Sequence, residues 1–203
     1  MIEHFPKLPI AVRQEEVYHL LGYKKKSVEI PEKIVKSVDK ELNLGRQLLR
    51  FRGVYTVFDA EVGESEVNLS GGLIIKSTKF AAWVAGCNRI YLFVVTAGAL
   101  FSERTSQLIS QENLSTALIA DAVGSAAAEA CAREANKFIV SLEKGNKLTK
   151  RFSPGYGDWD IIGNRELLGL LEADKIGITV NDGGLMQPEK SVSAAIGIKS
   201  VKE

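Results

Sequence analysis

The chain has 203 residues, 45% of them apolar and 25% charged, and its 26 Lys plus Arg nearly cancel its 25 Asp plus Glu. That balance lacks the basic surplus that grips nucleic acid by bulk electrostatics, and the apolar share is too high and too well mixed for a disordered chain. The two cysteines, Cys87 and Cys131, make no disulfide framework or metal knuckle, and the two histidines, His4 and His19, sit near no Cys or carboxylate at ligand spacing. No uninterrupted apolar run reaches the roughly 20 residues that span a bilayer. The N-terminus MIEHFPKLPI lacks a basic region followed by an apolar core. The expectation is a cytoplasmic protein with no nucleic-acid partner, no membrane and no metal.

Residues 1–30 read as an extended arm, with Pro6 and Pro9, followed by a short helix over Gln14–Leu21 that Gly22 ends. Residues 31–203 read as one compact domain. Pro31 opens a helix whose apolar positions Val35, Val38, Leu42, Leu48 and Leu49 mark one buried stripe, with Gly45 as a weak point. Residues 53–61 (GVYTVFDAE) and 73–75 read as strands, and 79–86 as a helix stopped by Gly86. The run RIYLFVVTAG, 89–98, has no polar alternation and reads as a strand buried on both faces.

Residues 102–111 predict a polar helix and 116–142 the longest helix, with Ala122, Ala126, Ala127, Ala130 and Cys131 as a small-residue face. Glu129 falls almost two turns after Ala122 and projects from the same stripe, where a carboxylate is either paired or lines a cavity. A basic turn (KLTKR) and a cluster of turn residues (SPGYGDWD) follow. A short helix over 166–171 takes Asp160 or Asn164 as its N-cap. Residues 176–180 and 192–198 read as the last strands, the second half-buried by its alternation, and Asp182, Gly183, Gly184 and Pro188 connect them. Helices and strands mix without regular βα alternation. The fold class is therefore α+β, a single domain with a mixed or antiparallel twisted sheet and flanking helices.

No phosphate loop, nucleophile elbow or HExxH motif is present. The informative segment is RFSPGYGDWD, 151–160. Arg151 offers a planar charged fork suited to a carboxylate. Pro154 and the flanking glycines fix a tight turn whose main-chain groups can face a flat heterocycle, and Tyr156 adds an aromatic body with a polar tip. Such a set suits a ligand with an amino-acid end and a base end; a rigid surface turn carrying a surface arginine has the same composition.

This segment resembles the RxSxGY signature of the activation domain of cobalamin-dependent methionine synthase, especially its stand-alone type. AGCNRIYLFVVTAG (85–98), DAVGSAAAEA (121–130) and IGITVNDGGLMQPEKSVSAAIGI (176–198) look like further motifs of that family, in the same order, and the likeness runs from about Ile30 onward. It implies an S-adenosylmethionine-binding module that supports reductive methylation of cob(II)alamin, with reduced flavodoxin or ferredoxin as electron donor. By motif position, Arg151 holds the methionine carboxylate, Ser153 and Gly155 offer main-chain contacts to the adenosine, and Tyr156 lines the site. Glu129 lies near the amino group or sulfonium, Asp121 is a further candidate on the same helix, and Lys190, Ser191 and Ser193 frame the groove.

The chain departs from the fused domains at Gly157-Asp158-Trp159, where they carry a GYPAC-like sequence, and this alters the groove wall. No DxHxxG corrin motif is present, so cobalamin is expected only on a partner, a corrinoid-binding methionine synthase or related methyltransferase chain. No catalytic residue is expected. The methyl of a sulfonium is already activated, so the chain's task is positioning, either as a binding module or as a methyltransferase component. The alternative is an S-adenosylmethionine-binding accessory or regulatory module for another corrinoid methyltransferase.

Overall fold

The computed structural model describes residues 1–23 and 29–199. In chain order its elements are β1 (Glu3–His4), α1 (Gln14–Leu20), α2 (Glu32–Leu48), β2 (Arg52–Val62), β3 (Glu66–Leu69), β4 (Ile74–Lys76), α3 (Thr78–Trp83), β5 (Arg89–Thr96), α4 (Leu100–Ser110), α5 (Leu114–Leu142), β6 (Lys147–Leu148), α6 (Asn164–Leu170), β7 (Thr179–Val180), β8 (Met186–Gln187) and β9 (Ser191–Lys199). Short 3-10 turns cover Ile161–Gly163 and Ala173–Ile176. The sheet runs β4-β3-β2-β5-β9-β6, with β1 beside the first half of β2, and every pairing is antiparallel. The α+β reading holds. The division between arm and domain at residue 30 falls beside residues 24–28, which lie outside the described residues.

β5 explains the layering. Tyr91, Phe93 and Val95 face one buried cluster, built with α1, α2, α4 and α5. Ile90, Leu92 and Val94 face a second, built with α3, α6 and the Trp159 loop. Side chains alternate across a strand, so a strand covered on both sides needs apolar residues at every position. β9 lies between β5 and β6 and is covered in the same way, with Ala194, Ile196 and Ile198 in the first cluster and Ala195 in the second. Its half-buried reading is corrected. Alternating Ser and Ala looked like a solvent face, whereas they are small residues that let the second layer come close.

α5 is the main helix of the first layer. It is long and apolar enough by length and composition to cross a membrane, yet 61% of its apolar window is buried inside the fold, as in a core helix. Its alanine face brings the helix down on β5 and β9. Gly45 of α2 is a contact point rather than a weak one, since a Cβ there would stand 3.0 Å from Val123 Cγ1 on α5. Cys131 is buried and unbonded on α5, and burial pushes its thiol up to about 12, which leaves an unreactive apolar residue.

Several short elements differ from the sequence reading. β3 and β8 were not expected, and residues 173–176 form a 3-10 turn before the two-residue β7, which pairs with β8 as a separate hairpin. The basic turn at 147–151 opens as the edge strand β6 and then runs on beside β9. Lys147 and Leu148 pair with β9, Thr149 N–H donates to Gly197 O, and Phe152 and Ala195 exchange both backbone bonds. Asp160 caps the 3-10 turn through Ile162 N–H, whereas Asn164 caps nothing and points into a polar network.

Candidate functional site

The edge segment after β6 carries the residues singled out by sequence. Its pairing with β9 fixes Arg151 and Phe152, and the chain then turns sharply at Pro154, Gly155 and Gly157. Gly155 and Gly157 hold positive φ of 91° and 63°, the left-handed region that favours glycine. A groove of about 610 Å³ lies between this segment, the start of β9 and α5, a size suited to a small organic ligand.

Arg151 and Glu129 meet at this groove, Arg151 Nη2 donating to Glu129 Oε1. The Glu129 side chain is 50% exposed, whereas Ala122, close to it in helical angle, is buried. The packing that covers Ala122 gives way to the groove at Glu129, so a carboxylate there is both paired and lining a cavity. A second hollow, between α1 and α5, shares Glu129 as a wall. Arg151 Nη1 is buried with no hydrogen-bond partner among the described residues. A guanidinium donor without an acceptor is costly, and an incoming carboxylate supplies one.

The remaining predicted residues separate into two groups. Ser153 and Tyr156 line the groove with Arg151 and Glu129. The Ser153 hydroxyl donates to Ser193 O at 2.7 Å, so this side chain fastens the segment to β9. Gly155 does not line the groove; its N–H donates to Trp159 O inside the turn. Asp121 does not line it either. It accepts from Lys190 Nζ at 2.6 Å, with Ser125 Oγ on the same ammonium at 3.0 Å.

Sequence reading gave no site role to several lining residues, among them Trp83, Ile161, Asn164 and Met186. Trp83 and Tyr156 are 45% and 67% exposed and flank Phe152, with ring centroids 5.9 and 6.4 Å from it. They give the groove flat aromatic surfaces of the kind that stack on a heterocycle. Asn164 is buried in the floor, accepting from Ser193 Oγ at 2.5 Å and donating to Gly184 O at 2.9 Å.

Asp158 and Trp159 hold the loop in place. Asp158 accepts from the Ser77 hydroxyl and from the Thr78 and Lys79 N–H groups at the start of α3. These bonds, Ser77's foremost, hold its carboxyl below the usual range against the opposing cost of desolvation. Trp159 is buried, 4.8 Å from the Phe80 ring and stacked on Phe152 at 6.4 Å. Asp158 and Trp159 thus anchor the groove wall from behind, and Tyr156 and Gly157 line it.

No protein-family model matches the chain, and no curated protein matches it in sequence. Among solved structures it is similar to one described as the crystal structure of the MetH reactivation domain bound to AdoHcy, at 14% identity and a TM-score of 0.69, covering 100% of this chain and 80% of that one. At that identity the likeness speaks for architecture alone: the chain has the fold of the MetH reactivation domain.

Proposed function

We propose that the groove binds S-adenosylmethionine and that the chain presents it to a corrinoid protein as a reactivation module. The observation that carries this reading is the Arg151–Glu129 pair with its unpartnered Nη1. An amino-acid end bears a carboxylate for the guanidinium and an ammonium for Glu129. Such a ligand replaces one ion pair by two and leaves the local charge unchanged. The exposed aromatic faces of Trp83 and Tyr156 suit the adenine. A solved protein of the same fold is described as binding AdoHcy, which differs from S-adenosylmethionine by the sulfonium methyl.

The reaction asks little of this chain. It binds the amino-acid end, excludes water from one side of the ligand and holds the sulfonium toward the groove mouth, so its contribution is orientation. The corrinoid chain and a flavodoxin or ferredoxin donor supply the rest. Titration calorimetry with S-adenosylmethionine tests the binding step. Arg151→Ala should weaken affinity by roughly tenfold to a hundredfold, the worth of a charge-assisted contact. Equal affinity in the two proteins overturns the site. The whole role is tested by mixing the chain with cob(II)alamin-loaded methionine synthase lacking its own reactivation domain, S-adenosylmethionine and a low-potential reductant. The methylcobalamin absorption band should appear.

A further inference from the structure

Another cavity, of about 920 Å³, lies where the N-terminal arm, the α2–β2 junction and the 3-10 turn at 173–176 converge. None of its lining residues belongs to the groove. Lys7, Arg50, Arg52 and Lys175 line it together with His4, and no carboxylate does. The chain as a whole carries 26 cations against 25 anions, so this is a local excess that the net charge conceals. Among the described residues only Lys175 of these four has an ion-pair partner, Glu172.

Two of the cations are held in place. Arg50 Nη1 donates to Gln47 O at 2.7 Å and to Leu49 O at 3.0 Å, which fixes the plane of its guanidinium and leaves its other donors for a ligand. Arg52 lies across Gly177, where a Cβ would stand 2.9 Å from its Nη1; Gly177, at φ 72°, is the residue that admits it. The cavity also has apolar lining from Leu8, Leu49 and Phe51, with Phe5 behind them, buried in the core and edge-on to the Phe51 ring at 6.3 Å.

We infer that this cavity binds a small phosphorylated aromatic molecule of nucleotide size, its phosphates on Arg50, Arg52, Lys7 and Lys175 and its organic body against the apolar lining at Leu8, Leu49 and Phe51. Guanidinium forks suit phosphate oxygens bidentately, and the volume lies within the range of small-molecule sites. Adenosine diphosphate is the probe, titrated into the full chain at low salt, with adenosine and inorganic pyrophosphate as separate arms. The diphosphate should bind saturably and more tightly than either arm. The double variant Arg50→Gln/Arg52→Gln should lose about tenfold or more in affinity and remain folded by its thermal transition, with at most a small drop in midpoint from the lost Arg50 bonds to Gln47 O and Leu49 O. Lys7→Gln should weaken the same binding by a smaller factor. The inference fails if the diphosphate does not bind saturably at millimolar concentration, if the double variant binds it as wild type does, or if Arg151→Ala abolishes it, which places the nucleotide in the groove. S-adenosylmethionine affinity in the Arg50/Arg52 variant is the independent reading of the groove and should not move.

Discussion

Arg151 and Glu129 stand 22 residues apart in the chain and close one charged hydrogen bond across the groove, with a second guanidinium nitrogen left buried and unpartnered. On the proposed function the pair would receive a zwitterion rather than an anion, because a bare carboxylate on Arg151 must also face Glu129. Glu129→Gln should therefore separate two ligand classes. Affinity for a ligand bearing the intact methionine end should fall about threefold to tenfold, less than for Arg151→Ala, because Glu129 is half exposed and its contact is screened. Affinity for 4-(methylthio)butanoate, which lacks the ammonium, should stay level or rise. An equal loss for both ligands would show that Glu129 acts only by holding Arg151.

Asp158 predicts the acid limb of stability. Its folded-state carboxyl lies below the ordinary value of 3.8, chiefly through the Ser77 hydroxyl and then the α3 backbone N–H groups. A depressed folded pKa contributes stability that is fully present above 3.8 and is lost as pH falls through the folded value. Urea unfolding measured between neutral and strongly acid solution should show this loss in the wild type. Asp158→Asn should be less stable at neutral pH and should have a flatter acid limb. A wild-type acid limb surviving in the variant assigns the effect to other carboxylates.

Gly163→Ala tests whether the groove wall rests on Trp159. An added Cβ would stand 2.4 Å from Trp159 Nε1, and the buried indole is packed against both Phe80 and Phe152, so it cannot retreat cheaply. Overpacking of this kind costs about 1–3 kcal/mol, more than the helix propensity an alanine adds. The urea midpoint should drop, and the buried-indole fluorescence should shift toward that of a solvated ring. A neutral result means that the loop, and with it Tyr156, is free to slide.

The long elements were legible because their signal is local. α2 and α5 carry the helical period over many residues, and β5 carries an unbroken apolar run. β3, β6 and β8 are two to four residues long, and they exist because a neighbour pairs with them, which no window of composition reports. The same holds at the site. Arg151, Ser153 and Tyr156 could be placed together because they are adjacent in sequence. Trp83, Asn164 and Met186 reach the groove from separate elements. Asp158 showed no sequence pattern tying it to α3, since its bonding partners lie about 80 residues away.

Lys190 and Asp121 supply a positioning test at one remove from the ligand. The Lys190 backbone carbonyl accepts from Ala97 N–H at 2.8 Å and from Thr96 Oγ1 at 3.3 Å, and its side chain crosses under α5 to Asp121 and Ser125. Gly124 gives it room, since a Cβ there would stand 3.0 Å from the lysine stem. Lys190 thereby ties the start of β9, which lines the groove with Ser191, Val192 and Ser193, to the helix that carries Glu129. The Lys190 side chain is 10% exposed and that of Asp121 47%, so the two single changes are unequal. Asp121→Asn leaves a nearly buried ammonium without its counter-charge and should cost about 1–2 kcal/mol, below the figure for a fully buried pair because Asp121 is half exposed. Lys190→Met leaves only a half-solvated carboxylate and should cost less. It should still raise the S-adenosylmethionine dissociation constant several-fold, because the β9 edge is no longer held against α5. Unfolding curves and titrations on the two variants give the decision: if Lys190→Met is the more destabilised, or if its ligand affinity equals that of the wild type, the lysine does not position the groove.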